Sequence, residues 1–565
     1  MPKSALLLLA SALTLTSCQD PPLPEPHPQM VFFNGQIYTQ AEPQQVVEAI
    51  AIQNGRVLAV GSDEQMLSLA NGKTQRIDLE GRPVYPGFAD GHAHLVGVGT
   101  ALENLDLMGT TSYAEVIDRT VARHTQLPEG EWLFGRGWDQ NDWQEKGFPT
   151  HQDLSEAIPN RPVVLMRVDG HALLANQAAM EAAGITRDTA DPDGGRLERD
   201  AGGNPTGVFV DNAESLILAA APQTTVAAVK RAVGAATTAF HAEGITAVHD
   251  AGAGEATLAY LESMATEGRL KLRLHEMLAG SDPELLQRRF AAGPLHDVAG
   301  NGTLAIRAVK IYSDGALGSR GAALLEEYSD DHGNHGLLVT SDAERRTIVE
   351  DAMAAGFQVA THAIGDRGNR QTLDVYAEVL AQAAADRTPI EDHRWRIEHA
   401  QVIHPEDFQR FADLGVIPAM QAQHQTSDMP WAEDRVGPER ILGAYAWRSF
   451  LDAGCVIPGG SDAPVERLDT VAQFIAAVAR TTPAGEPEGG WYPGQNLSRQ
   501  EALNMLTTWP AYAAFREHDL GRLQPGYRAD MVVFSGDLMT LPVNRLADCQ
   551  PIITIFAGEI VWVKP

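Results

Sequence analysis

Residues 83–95 read PVYPGFADGHAHL: an apolar run, a turn-rich exit through Pro86–Gly91, then His92 and His94 two positions apart. Seven further short apolar runs follow: GITAVHDAG (244–252), LKLRLHEML (270–278), LAIRAVKIYSDG (304–315), GFQVATHAIGD (356–366), RWRIEHAQ (394–401), GVIPAMQ (415–421) and GCVIPGGSDAP (454–464). Helical stretches such as 224–243 and 341–356 lie between them. Apolar strands alternating with helices predict parallel βα units, because both faces of such a strand are covered. Eight of them predict an α/β protein, a (β/α)8 TIM barrel over 83–515 with its site at the C-terminal strand ends.

Working outward, the first gap holds roughly 150 residues, far more than a βα loop. It contains PVVLMRVDGHALLANQAAM (162–180) and three of the nine tryptophans, Trp132, Trp138 and Trp143. An inserted subdomain over about 96–240, covering the barrel mouth, is expected. Residues 30–82 alternate apolar and polar around Asn54-Gly55, the dipeptide that a type I′ hairpin needs because both turn residues take positive φ. Residues 516–565 behave alike, with RADMVVF (528–534) and PIITIFAGEIVWV (551–563) folding over Ala557-Gly558. The two ends are expected to share one small β-sandwich.

The 565 residues are 44% hydrophobic and 21% charged, which excludes a wholly disordered or fibrous chain. Lys and Arg total 43 against 74 Asp and Glu, a formal net charge of -31. A body this acidic repels phosphate backbones, so no nucleic-acid partner is expected. Three cysteines are too few for a disulfide scaffold. Lys3 and the apolar stretch 5–15, too short to span a bilayer, precede Leu15-Thr16-Ser17-Cys18, which resembles the lipobox of bacterial lipoproteins. The resemblance implies a signal peptide over 1–17, acylation of Cys18, and a Pro-rich tether over 18–29. The expected location is the bacterial cell envelope, periplasm-facing or surface-exposed, with the membrane touched only through that anchor. Cys455 and Cys549 remain, and their pairing is open.

The strand ends carry the chemistry. His92 and His94, two apart in extended chain, face the same way and can share one metal. His362 ends FQVATHA and His399 ends WRIEHA; a core histidine is the alternative for each. Asp462 follows Gly459-Gly460-Ser461, where a helix N-cap is the alternative. Four imidazoles and a carboxylate form a donor set suited to zinc, with manganese, iron or cobalt also compatible. Lys310 lies in an apolar strand, where a bare ammonium is costly. It either pairs with a neighbour such as Asp314 or is held neutral, and a neutral amine adds carbon dioxide to give a metal-bridging carbamate.

PGFADGHAHL, VKIYSDGALGSRGAAL, THAIGD, EHAQ, PAMQAQHQTSDMPWAEDRVG and GGSDAPVE together resemble the amidohydrolase superfamily. They are most similar to the amidohydrolase family 3 branch, which contains N-substituted formamide deformylases. The resemblance spans about residue 31 to the C-terminus, and its fold is the barrel plus end-built sandwich expected above. It places the metal on His92, His94, Lys310, His362, His399 and Asp462, with one or two divalent ions, zinc first, and N6-carboxylation of Lys310. It implies hydrolysis of an amide- or formamide-type C–N bond of a small molecule. The metal lowers the pKa of bound water, and Asp462 is the general base that returns the proton to the leaving nitrogen. His171, Asp314, Arg320 and His424 are candidates for contacting substrate; His249-Asp250 is a further candidate for supporting the site. A cyclic amide, carbamate or ester would suit the same metal positions, and a lipid-anchored non-catalytic binding protein is the rival from outside enzymes. Family analogy suggests a homodimer.

Overall fold

The computed structural model describes residues 27–387, 390 and 392–565. The expected signal peptide, Cys18 and most of the tether lie outside the described residues. Seven parallel strands form one sheet: β1 (Phe88–Ala93), β2 (Ile245–Ala253), β3 (Arg273–Ala279), β4 (Leu304–Tyr312), β5 (Gln358–Ala363), β6 (Arg396–His399) and β7 (Ile417–Ala419). Their order in the sheet is their order in the chain. Every residue of β1, β5, β6 and β7 is buried, polar ones included, as expected of parallel strands covered on both faces.

The eighth run departs from expectation. Residues 454–464 form no ladder, yet they stitch β7 to β1 and nearly close the barrel. Met420 N donates to Pro458 O (3.1 Å) and Gly460 N to Met420 O (3.2 Å) on one side. Gly91 N donates to Gly459 O (2.7 Å) and Asp462 N to His92 O (2.7 Å) on the other. A side chain cannot fit in this seam, since a Cβ on Gly460 would lie 2.5 Å from His92 N. The architecture is therefore α/β and TIM-barrel-like.

The run 83–95 also divides: Pro83–Pro86 belongs to a different sheet from β1. That sheet joins strands from both chain ends in the order 559–563, 551–556, 531–534, 83–86, 36–38, 46–47. A second sheet holds 56–61, 49–53, 30–33 and 75–78. Phe32, Ile50 and Val57 of one share an apolar cluster with Ile37, Val84, Met531 and Ile555 of the other. Asn54 (φ 50°) and Gly55 (φ 72°) take the left-handed turn that their hairpin requires.

Between β1 and β2 stands a mixed six-stranded sheet, built from Leu105–Asp106, Leu133–Trp138, Val163–Arg167, Ala172–Ala175, Gly195–Arg199 and Pro205–Asp211. Trp138 and Trp143 are buried in its own core with Leu133 and Leu165, so they do not serve as a substrate surface. Helix α1 (Leu95–Glu103) leaves β1 and packs on helix α2 (Val226–Ala242), which Thr225 caps through Ala228 N. The apolar face of α2, Val229, Ala232, Val233, Ala236 and Phe240, keeps helical spacing against the barrel.

Candidate metal centre

The bonds that close the barrel also assemble the site. With Asp462 N on His92 O, and His94 N on Ala463 O (2.9 Å), the Asp462 carboxylate is drawn among imidazoles. Its Oδ1 lies 3.3 Å from His92 Nε2 and 3.1 Å from His94 Nε2. Its Oδ2 lies 3.4 Å from His424 Nε2 and 4.0 Å from His399 Nδ1. Two donor sets result, His92/His94/Asp462 and His399/His424/Asp462, each with its ligand atoms within 4.8 Å of one another. His362 joins through rings: its centroid is 4.5 Å from that of His399 and 5.0 Å from that of His171.

The donors fit a divalent cation. His92 Nε2 and Asp462 Oδ1 are buried with no hydrogen-bond partner, an arrangement that costs about 1–3 kcal/mol per group unless something else satisfies them. Nitrogen and carboxylate donors together suit a borderline ion. Burial, reinforced by neighbouring cations, holds His362 and His399 well below the usual histidine range, and burial lowers His94 too. Neutral rings keep a lone pair for a ligand bond. Burial opposes ionisation of Asp462, but the imidazoles of His424 and His92 beside it hold its carboxyl well below the carboxylate range. His424 is pushed the other way: burial disfavours its charge, yet its bonds to Asp462 and Glu466 raise it to about 10.

A ring of supporting residues decides which nitrogen each histidine presents. His92 Nδ1 meets Glu398, whose Oε1 is 2.8 Å from Arg396 Nε. Arg396 Nη2 donates to Gly91 O (2.6 Å) and to Glu398 (2.9 Å). His399 Nδ1 binds Gln421 Oε1 (2.8 Å), His424 Nδ1 binds Glu466 Oε1 (3.0 Å), and His171 Nδ1 binds Asp211 Oδ1 (2.7 Å). Such outer partners fix tautomer and orientation. Sequence reasoning missed all of them. The one legible signal was Arg396 and Glu398, opposite charges two apart in a fully buried strand.

Lys310 is 1% exposed on β4, with Nζ 4.4 Å from the Tyr312 ring centre. No carboxylate lies within ion-pair distance of it among the described residues, so the expected alternative of a bridge to Asp314 is not what the structure shows. Asp314 instead accepts amides from Ala323 (2.8 Å), Ile364 (3.0 Å) and Gly365 (2.8 Å), and burial pushes it up to about 7. Arg320 pairs with Asp330 at 2.8 Å. Neither lines the site cavities, although Ala316, Leu317 and Gly318 of the same loop line the smaller one and Asp314 Oδ1 lies 3.7 Å from His362 Nε2. Asp250 does reach the larger cavity and accepts Leu95 N at 2.8 Å, while His249 Nδ1 lies 2.8 Å from Arg396 Nη1.

Two chambers meet at the centre. The larger, about 1100 Å³, lies between the barrel mouth and the inserted sheet and is lined by His94, Lys310, Tyr312, Arg136, His171 and Asp462 among others. The smaller, about 150 Å³, lies on the His424 side and shares His171, His362, His399 and Asp462 with it.

Known proteins agree with this picture. YtcJ of Bacillus subtilis is 33% identical over 544 residues, covering 94% of this chain and 99% of that protein. An N-substituted formamide deformylase of Arthrobacter pascens is 27% identical over 552 residues, covering 95% and 98%. A metal-dependent hydrolase of Pyrococcus horikoshii superposes with a TM-score of 0.72 at 28% identity, over 91% of this chain and 99% of its own. The barrel, the His/Asp centre and a match of the amidohydrolase family model to residues 75–562 lead to one conclusion: the chain belongs to amidohydrolase family 3.

Proposed function

We propose that this hydrolase cleaves an amide- or formamide-type C–N bond of a small molecule, with Asp462 carrying the proton. The observation behind the proposal is Asp462 itself: one buried carboxylate set between two imidazole groups, with an unpartnered Oδ1. His92, His94, Lys310, His362, His399 and Asp462 would hold one or two divalent ions, with zinc the first choice for these donors. A bound cation supplies Lewis acidity, lowering the pKa of water and polarising a carbonyl. Asp462 takes a proton from the attacking water as its oxygen adds to the carbonyl carbon, then delivers it to the nitrogen as the C–N bond breaks. His171, fixed through Nδ1 by Asp211, and His424, fixed by Glu466, are placed to contact the substrate's polar atoms. Lys310, unpaired and buried, is the proposed site of a carbamate, formed when its neutral amine adds carbon dioxide and releases a proton.

The test is metal analysis together with a panel of N-acyl and N-formyl amines. Asp462→Asn should lower turnover by roughly 10²–10⁴-fold. Full activity in that variant would remove Asp462 from the chemistry.

A further inference from the structure

The wall of the larger cavity that belongs to the inserted sheet carries one arginine, Arg136, on the strand Leu133–Trp138. Its Nη2 donates to Val168 O (2.9 Å), while Nε is buried without an acceptor. No carboxylate lies within ion-pair distance of it among the described residues. That is unlike Arg167 one strand away, which is clamped between Asp139 and Asp169. Arg480 also lacks a carboxylate, but it is spent on the carbonyls of Trp491 and Tyr445 and on the rings of Trp447 and Trp491. Arg136 has one carbonyl, Val168 O, and among the described residues no aromatic ring stacked on its guanidinium.

Among the described residues none of the cavity's acids forms an ion pair with it, although Asp462, Asp169 and Glu214 favour its charge. Asp169 is committed to Arg167, and Asp211 to His171. Glu214 also lines the wall, its Oε1 buried without a hydrogen-bond partner; burial and Asp211 push it well above the carboxylate range, while Arg136 pulls it back. Burial likewise lowers the Arg136 pKa, with Asp462 the first of the carboxylates that act on it electrostatically. An uncompensated buried guanidinium is expensive unless an anion completes it, and its planar fork matches a carboxylate in two parallel hydrogen bonds.

We infer that Arg136 receives a carboxylate of the substrate across the cavity from Asp462, so the preferred substrates are amides bearing a carboxylate, N-acyl amino acids in chemical class. The inference deepens the proposed amide hydrolysis and rests on it for the word substrate, but not for the binding site. The chamber of about 1100 Å³ has room for such a molecule with a sizeable side chain.

Calorimetry on the metal-loaded protein tests it with two probes, racemic N-acetylphenylalanine and its primary amide, which differ only at the carboxylate. The acid should bind roughly 10- to 100-fold more tightly than the amide, as expected of a charge-assisted bidentate contact. Arg136→Gln should abolish that preference while leaving the amide's affinity unchanged, which also shows the cavity intact. Arg136→Lys, which keeps the charge without the fork, should retain part of it. Equal binding of acid and amide by the unaltered protein, failure to bind either at millimolar concentration, or an undiminished preference in both variants overturns the inference. The last result would put the carboxylate on the cation or on Lys310. Turnover is scored separately: a protein that prefers the acid through Arg136 yet cleaves no amide would sink the amidase reading and leave the binding site standing.

Discussion

Glu398→Gln should cost the protein its metal before it costs the fold. Glu398 is fully buried and bridges His92 Nδ1 to Arg396. As a carboxylate it only accepts, so His92 must donate from Nδ1 and leave the Nε2 lone pair toward Asp462 and the cation site. A glutamine of the same shape would keep its carbonyl on Arg396, where donors converge, and turn its amide to His92. The imidazole would then accept at Nδ1, carry its proton on Nε2, and lose the ligand atom. Metal affinity should fall by roughly 10–100-fold, the usual effect of removing such an outer partner. Glu398→Ala differs in kind, because it strands the Arg396 guanidinium at 0% exposure and should destabilise the fold by about 3–5 kcal/mol. Competition with a chelator at neutral pH gives the affinity, and thermal unfolding of the metal-free protein separates the two variants. A glutamine variant that holds metal as tightly as the parent would refute the tautomer argument.

Gly99→Ala should separate α1 from α2, since its Cβ would fall 1.9 Å from Ala232 O; a loss near the upper end of overpacking, about 3 kcal/mol, is expected in denaturant titration. Burial and Asp469 raise Glu243 from 4.5 to about 7. The folded state therefore resists an ionisation that the unfolded chain makes freely, and stability falls between pH 4.5 and 7 by about 2–3 kcal/mol. Glu243→Gln should flatten that part of the stability profile, and an unchanged slope would count against it.

The barrel was legible because parallel strands covered on both faces appear as unbroken apolar runs, and a polar residue at the end of such a run stands out. His92, His362 and His399 were visible for that reason. The eighth strand was over-read: Gly459-Gly460-Ser461 carries the chain between β7 and β1 by close backbone approach, which looks like a strand in sequence but forms no ladder. Asp314 and Arg320 were suggested by adjacency to Lys310, yet a loop can reverse within a few residues, and this one delivers Asp314 to the amides of Ile364 and Gly365. Arg136 stayed hidden for the opposite reason. Its lack of a partner depends on segments far away in the chain, and no local pattern encodes a guanidinium without a carboxylate.

Departures from ordinary folding rules, found at several places in the fold, occur also where the two chambers meet. His399 (φ 72°), Ala400 (φ 42°) and Asp462 (φ 56°) hold left-handed backbone without being glycine. Among the described residues, His92 Nε2 and Asp462 Oδ1 have no hydrogen-bond partner, and no carboxylate lies within ion-pair distance of Lys310 or Arg136. Each feature opposes folding of the metal-free chain by about 1–3 kcal/mol, and the extensive barrel core supplies the stability that tolerates them. The two kinds of deficit are complementary: nitrogen and carboxylate donors await a cation, and Arg136 on the facing wall awaits an anion. Substitutions that relieve either deficit should stabilise the empty protein while removing what it can bind, which ties the strain at the centre to the proposed chemistry rather than to the fold.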